Sequence, residues 1–158
     1  LEHTKMYRSF REPVSLADYT LPLDKCRVVQ EGSDLTLVAW GNMLHYSIEA
    51  AAEVAAATNA SIEIIDMCSL APLDVAPVLA SVKKTGRCVI VHEARRTAGP
   101  GAEISALINE YALEWLKAPV KRVTAFDVFF PENQIEDAYL PSPGRIKAGI
   151  EAVLNYQF

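Results

Sequence analysis

The chain has 158 residues, of which 51% are hydrophobic and 22% charged, so it is about one domain long and can bury a substantial core. Fifteen basic against twenty acidic residues give a formal net charge of -5, which argues against a surface for nucleic-acid phosphates and favours a basic protein partner. No apolar run approaches the ~20 residues that span a bilayer, and the opening LEHTKMYRSF shows no secretory signal. A cytoplasmic or organelle-matrix location without membrane contact is therefore expected.

Short β-rich runs alternate with helical patterns along most of the chain. Residues 1–32 contain Pro13 and Pro22 and no periodicity, so they are predicted to be an extended connector outside the sheet. Four runs have the β-branched, apolar content of strands: 34–40, 61–67, 87–93 and 120–126. The continuous apolar middle of the third run predicts burial on both faces.

Two helices are predicted between the first three strands. The first follows residue 41, and its buried stripe is predicted from intervals of four, three and four residues: Leu44, Ile48, Ala51 and Ala55. The second contains Pro77 in its first turn, with Asp74 as N-cap and Gly86 as C-terminal stop.

Two further helices follow the third and fourth strands. One is predicted from about Ala102 to Lys117, with a buried face formed by Ile104, Leu107, Ile108, Tyr111 and Trp115. The last begins with Ser142 as N-cap and Pro143 at its first position, and its buried stripe is Ile146, Ile150 and Val153. This alternation predicts an α/β fold with a mostly parallel sheet and helices on both faces.

The segment GRCVIVHEARRTAGPGAEI, residues 86–104, holds the most distinctive polar residues. Cys68 and His92 lie at strand ends and could act as a nucleophile and base, but no glycine elbow surrounds Cys68, so a packed thiol is favoured. The three cysteines, Cys26, Cys68 and Cys88, are too far apart in sequence to signal a disulfide framework or a metal site. The GPGAE turn lacks both the GxGxxG spacing and the Walker lysine of phosphate loops.

Acidic residues cluster between the fourth strand and the last helix, at Asp127, Glu132, Glu136 and Asp137. They form either a solvated acidic loop or a docking patch for arginines and lysines of a partner. Residue types and spacing leave both interpretations open.

Several segments resemble, in order, the C-terminal part of the beta subunit of the decarboxylating component of 2-oxo acid dehydrogenase complexes. They are EGSDLTLVAWG, EIIDMCSLAPLDVAPVLASVKKTGRCVIVHEA, GPGAEI, LKAPVKRVTAFDVFFP and AYLPSPGRIKAGIEAVL. The family includes the pyruvate, branched-chain 2-oxo acid and acetoin enzymes. Arg95, Arg96 and the GPG turn depart from its usual pattern, which leaves the particular 2-oxo acid open.

The resemblance implies a three-layer α/β/α sandwich of the transketolase C-terminal type, with five strands of which one is antiparallel. It also implies two regions: a linker at 1–32 from a missing N-terminal pyrimidine-binding domain, and the C-terminal domain at 33–158. In the family, thiamine diphosphate and magnesium are held between the alpha subunit and that missing domain. No catalytic, cofactor-binding or metal-binding residue is therefore expected in this segment.

Partner contacts are implied by the same resemblance. The region His92, Glu93, Arg95 and Arg96 is expected to help assemble a heterotetramer with the alpha subunit and a second beta subunit. The peripheral-subunit-binding domain of the acyltransferase component is expected to dock on Asp127, Glu132, Glu136, Asp137 and Phe158. The alternative is a free-standing flavodoxin-like module with an acidic surface that binds a small ligand at its strand ends; a thiol hydrolase using Cys68 and His92 is a third.

Overall fold

A five-stranded sheet runs through the centre of the molecule. The computed structural model describes residues 3–157, the side chain of Asn133 excepted. The strand order is β1-β3-β2-β4-β5, and the strands are β1 Arg27–Gln30, β2 Leu35–Ala39, β3 Ile62–Asp66, β4 Cys88–Arg95 and β5 Lys121–Ala125. Strands β2 to β5 pair in parallel, whereas β1 pairs antiparallel with β3.

Helices cover both faces of this sheet. They are α1 Asn42–Thr58, α2 Ala76–Thr85, α3 Pro100–Ala112, the single-turn α4 Glu136–Tyr139, and α5 Pro143–Leu154. Short 3₁₀ turns occupy Thr4–Arg8, Leu113–Trp115 and Asn133–Ile135. Within residues 3–157, no helix combines the length and hydropathy needed to cross a bilayer.

The two larger apolar cores of the described residues lie on opposite faces of the sheet, because side chains alternate along each strand. Leu37, Ile64 and Val91 point towards α1 and α5 and pack with Ile146 and Ile150. Their chain neighbours point the other way and pack against α2 and α3, forming the second core with Val38, Ile65, Ile90, Ile104 and Ile108. The predicted three-layer α/β/α sandwich, with one antiparallel strand among five, is therefore confirmed.

Strand β1 corrects the prediction that all of residues 1–32 stay outside the sheet. Arg27 pairs with Asp66 and Val28 with Ile65 across the antiparallel ladder, and the Arg27 Nε donates to Asp66 Oδ2 at 3.1 Å. All four residues of β1 are exposed, so the strand carries no alternation of apolar and polar residues by which it could be found. The ordered sheet begins at residue 27 and not at residue 34.

The first two predicted helices are present but differ in detail. In α1 the buried residues are Asn42, Met43, Leu44, Ser47, Ala50, Ala51 and Val54. Ile48 is 37% exposed and Ala55 only half-buried, because the buried face is rotated from the predicted stripe towards the row Met43, Ser47, Ala50 and Val54. Asp74 does not cap α2, which begins at Ala76; its carboxylate accepts from the Cys26 amide at 3.2 Å.

The third helix, α3, ends five residues before the predicted Lys117, whereas the last helix, α5, has the predicted N-cap and buried residues. Helix α3 stops at Ala112, where the chain tightens into a 3₁₀ turn, leaving Tyr111 and Trp115 56% and 40% exposed. Trp115 is covered from outside by the Lys83 ammonium, 4.4 Å from the ring centroid. In α5 the Ser142 hydroxyl accepts from the Arg145 amide at 3.3 Å, and the predicted stripe is buried.

Candidate functional site at the carboxyl end of the sheet

The chain reverses its winding direction at β2, which lies between β3 and β4. In open α/β sheets, ligands bind in the crevice beside such a reversal, outside the carboxyl ends of the strands. Here Trp40 follows β2 and His92 lies near the end of β4, and their rings stack at 5.2 Å between centroids with 12° between planes. The protein's own packed rings therefore occupy the ends of β2 and β4, while a cavity lined by Gly41, His45 and Asp66, among others, remains at the ends of β2 and β3.

The glycine-proline-glycine turn, residues 99–101, packs directly against the His92 ring, which is fully buried. A Cβ on Gly101 would lie 2.5 Å from His92 Nε2, and one on Gly99 would lie 2.7 Å from His92 Cε1 and 2.3 Å from the Arg95 carbonyl oxygen. Only residues without a side chain let the first turn of α3 rest on the ring. Pro100 occupies the first helical position, where its missing N–H costs no hydrogen bond.

His92 is held neutral by its surroundings. Within the described residues neither ring nitrogen makes a hydrogen bond. Burial and the positive charge of Arg122 lower its pKa to about 4, and the nearby backbone of Ala94 opposes this only weakly. A buried imidazole without partners is suited to packing and does not supply an accessible general base.

Cys68 does not join His92 in a catalytic pair. Its side chain is exposed, and its backbone adopts the left-handed region with φ of 47°. Partial desolvation and the nearby Asp66 carboxylate raise the thiol pKa, which is the opposite of what a thiolate nucleophile needs. No hydrogen bond links Cys68 to His92 within residues 3–157, so the thiol hydrolase hypothesis loses its geometric basis.

An N-terminal segment closes over this end of the sheet. His3 Nε2 lies 2.8 and 2.9 Å from the two carboxylate oxygens of Glu93. Lys5 Nζ lies 2.8 Å from Asp137 Oδ1 and 4.0 Å from Glu136 Oε1, and hydrogen bonding to Asp137 raises the lysine pKa. Three acids predicted to face partners thus already pair with the chain's own basic residues.

The predicted acidic patch is only partly assembled in the structure. Asp127 accepts from the Thr97 amide at 2.9 Å and from its hydroxyl at 2.8 Å, and these bonds lower the pKa of its carboxyl group. Asp127 therefore braces the turn before α3, whereas Lys5 holds Glu136 and Asp137 together on α4. Glu132 is exposed. Phe158 lies outside the described residues, and α5 itself ends at Leu154.

Arg95 and Arg96 both lie on the surface. Arg95 stands 5.6 Å from the centroid of the Phe129 ring. Arg96 and Arg122 bind each other's backbone: Arg96 Nη1 donates to the Arg122 carbonyl at 3.2 Å, and Arg122 Nη1 donates to the Arg96 carbonyl at 2.8 Å. The two arginines thereby lock the turn after β4 onto the edge strand β5.

Arg145 is a structurally important residue that sequence reasoning missed. From the first turn of α5, its guanidinium donates to the carbonyl oxygens of Tyr139 at 3.3 Å, Leu140 at 3.2 Å and Thr124 at 2.6 Å. It also lies 4.4 Å from the centroid of the Phe126 ring, and burial lowers its pKa. The oxygens that accept these hydrogen bonds belong to the backbone, so residue types alone could not indicate the role of Arg145.

Comparison with known proteins gives a consistent set of relatives. Residues 24–146 match the family described as transketolase, C-terminal domain. The chain is 42% identical over 156 residues to the pyruvate dehydrogenase E1 component subunit beta of Staphylococcus epidermidis, and 42% identical to that of Bacillus subtilis; in each case the match covers 99% of this chain and 48% of the relative. The chain thus spans about half the length of these relatives.

Solved structures agree with this assignment. A structure titled split gene transketolase, inactive beta4 tetramer superposes with a TM-score of 0.74 at 27% identity, over 87% of this chain and 43% of that one. A 2-oxoglutarate:ferredoxin oxidoreductase from Magnetococcus marinus matches in fold, with a TM-score of 0.56 at 15% identity over 84% of this chain and 20% of that one. On its matched residues and its fold, the chain belongs to the transketolase C-terminal domain family.

Proposed function

We propose that this chain is the C-terminal assembly and partner-docking domain of the beta subunit of a thiamine diphosphate-dependent 2-oxo acid dehydrogenase. The whole enzyme would oxidatively decarboxylate a 2-oxo acid and transfer the acyl group to lipoyl, in a bacterial cytoplasm or a mitochondrial matrix. The observation that carries the proposal is the 42% identity along 99% of this chain to beta subunits of which it covers only 48%. Catalysis then requires the other half.

The cofactor is proposed to bind outside this chain. Within residues 3–157, no group of three or more His, Cys, Asp or Glu side chains is placed to hold a metal ion, and His92 at the strand ends is neutral and fully buried. We place the cofactor in the half of the relatives that this chain does not cover.

The connector to the missing half is proposed to lie within residues 1–32. From Ser9 to Lys25 every described residue is exposed, including apolar side chains at Val14, Leu16, Tyr19, Leu21 and Leu23. Leu16 is 100% exposed and Leu23 is 88% exposed, and several large apolar side chains left in water along one short segment indicate a surface that another body covers. A linker that runs along an adjoining domain would bury them.

The contact region for the other subunits is proposed to include the end of β4 and the loop after β5. His92 supports the turn from below, while Glu93, Arg95 and Arg96 lie at or near its surface. The adjoining loop exposes three large apolar side chains, Val128, Phe129 and Phe130, at 56%, 88% and 59%. Aromatic side chains beside arginines have the composition of protein interfaces, which supports contact with an alpha subunit and a second beta subunit.

A chimera tests the proposal directly. The chain would be joined to the N-terminal half of the Bacillus subtilis beta subunit, produced with the alpha subunit of that enzyme, and assayed for 2-oxo acid-dependent reduction of an artificial electron acceptor. We expect activity from the chimera and none from the 158-residue chain mixed with the alpha subunit. Calorimetric titration of thiamine diphosphate and magnesium into the chain alone should give no saturable heat; micromolar binding would overturn the proposal.

Docking of the acyltransferase component is a separate part of the proposal. Glu132 is the most informative acid, because within the described residues it makes no ion pair, whereas Glu136 and Asp137 contact Lys5. We expect Glu132→Lys, or removal of residues 155–158, to weaken binding of the basic peripheral-subunit-binding domain, measured by surface plasmon resonance at two salt concentrations. Glu110→Lys, an exposed position on α3, is the control, and equal affinity in all variants would contradict docking here.

A further inference from the structure

A cavity of about 450 Å³ lies beside the edge strand β5, between it and α5. Its floor is apolar and includes Val123, Ala125, Phe126 and Ala148. Helix α5 comes close to the strand at Gly149, where a Cβ would stand 2.6 Å from Val123 Cγ2. The volume falls within the roughly 300–1,000 Å³ of small-molecule sites, which are mostly apolar with a few fixed polar groups.

The polar groups around this cavity are strongly biased to positive charge. Four cationic side chains line it, Arg96, Lys121, Arg122 and Arg145, against one acid, Asp127. None of the four cations forms an ion pair with a carboxylate within residues 3–157. Asp127 instead accepts two hydrogen bonds from Thr97. An uncompensated cluster in a chain of net charge -5 creates a local positive potential that attracts anions.

The guanidinium groups are held in place before any ligand arrives. Arg145 donates to three carbonyl oxygens, which leaves two of its five N–H donors for other partners. Arg96 and Arg122 fix each other through reciprocal bonds to backbone carbonyls. Lys121, which is exposed, adds a mobile ammonium. Fixed guanidinium forks with spare donors match the geometry of phosphate oxygens.

We propose that this cavity binds a small organic anion in which a phosphate group is attached to an apolar body. Arg96, Lys121, Arg122 and Arg145 would hold the phosphate, and the apolar part would rest on Phe126 and Val123. An extended acidic peptide fits less well, because two carbonyl oxygens of the edge strand β5, those of Arg122 and Thr124, already accept hydrogen bonds from arginine side chains. A peptide would need such groups for strand addition.

The test uses phenyl phosphate as probe, with the ¹⁵N-labelled 158-residue chain observed by NMR. We expect saturable shifts of the amides of residues 121–125, tighter binding than for inorganic phosphate or benzyl alcohol, and weaker binding as salt rises. Lys121→Glu should weaken phenyl phosphate binding by at least tenfold. Its matched control is Lys25→Glu, which reverses the same charge at a lysine whose ammonium lies 3.8 Å from Asp24 and which does not line the cavity.

Three outcomes would overturn the proposal. The first is an absence of saturable shifts at residues 121–125. The second is an equal loss in Lys121→Glu and Lys25→Glu, which would show a general effect of charge. The third is saturable binding of a polyglutamate peptide there without binding of phenyl phosphate, which would indicate a protein-docking surface. None of these results depends on the thiamine diphosphate assays, so the cavity and the proposed function can fail separately.

Discussion

Replacing Gly101 by alanine tests whether the contact between α3 and His92 limits the sequence at this turn. The new Cβ would lie 2.5 Å from His92 Nε2, 2.6 Å from His92 Cδ2 and 3.1 Å from Ile90 Cγ2. Neither neighbour is free to move: both are fully buried, and the His92 ring is stacked on Trp40. The helix start must shift away from the sheet.

The matched variant is Gly144→Ala. Both glycines occupy the second position of a helix and follow a proline at the first position, so the gain of helix propensity is common to the two. That gain is about 0.4–1 kcal/mol. A Cβ at Gly144 meets only the Ser142 hydroxyl, at 3.9 Å, whereas overpacking at Gly101 should cost about 1–3 kcal/mol.

We therefore expect Gly144→Ala to raise the free energy of unfolding by up to about 1 kcal/mol and Gly101→Ala to lower it. The difference between the two variants should be about 1–3 kcal/mol, because the shared helix contribution cancels. Urea unfolding at neutral pH, followed by far-UV circular dichroism, gives both values. If Gly101→Ala proved as stable as Gly144→Ala, the ring contact would not be the reason for glycine at residue 101.

The buried side chains of His92 and Thr36 and the exposed N-terminal segment each allow a further test. The pKa of His92 is about 4 in the folded protein, below its ordinary value of 6.5. As pH falls from 6.5 towards 4, the unfolded chain therefore binds a proton at this residue that the folded protein does not, and the free energy of unfolding decreases. At pH 5 this decrease should be about 2 kcal/mol. His92→Phe should remove this component from the pH dependence of urea unfolding, and an NMR titration midpoint of the imidazole near 6.5 would refute it. Thr36→Val should cost about 1–3 kcal/mol in the same assay, since the buried Thr36 hydroxyl lies 2.6 Å from that of Ser81 and 2.8 Å from that of Thr85; adding Ser81→Ala should recover part of the loss. Trypsin should cut first at Arg11 or Lys25 in the exposed segment, and initial cleavage within α3 would contradict this.

Elements whose burial follows a clear period were predictable from sequence. Helix α5 has a serine cap and a proline at its first position, and its apolar residues recur every three or four residues, so they lie on the one face that packs against the sheet. The parallel strands β2 and β3 were equally clear, since both are buried along their whole length and are rich in apolar and β-branched residues. Local chemistry and tertiary packing agree in these elements.

The prediction was wrong where tertiary contacts decide the outcome. Strand β1 is recruited by pairing with β3 while its side chains stay exposed, so hydrophobic periodicity could not indicate it. Tyr111 and Trp115 look like core residues by spacing, yet the helix tightens after Ala112 and leaves both exposed. Asp74 has the right residue type for a cap, but a long-range bond to the Cys26 amide engages its carboxylate instead.

The role of the candidate site, too, could not be predicted from residue types and spacing. A histidine and a glutamate at a strand end, followed by a glycine turn, have the residue types of an active site, and spacing alone cannot distinguish chemistry from packing. The structure distinguishes them through burial: His92 is sealed between Trp40 and the first turn of α3, while Glu93 pairs with His3. Packed side chains thus occupy the space beside β2 and β4 that other α/β sheets use for ligands, whereas four cationic side chains that form no ion pair within residues 3–157 line the cavity beside β5.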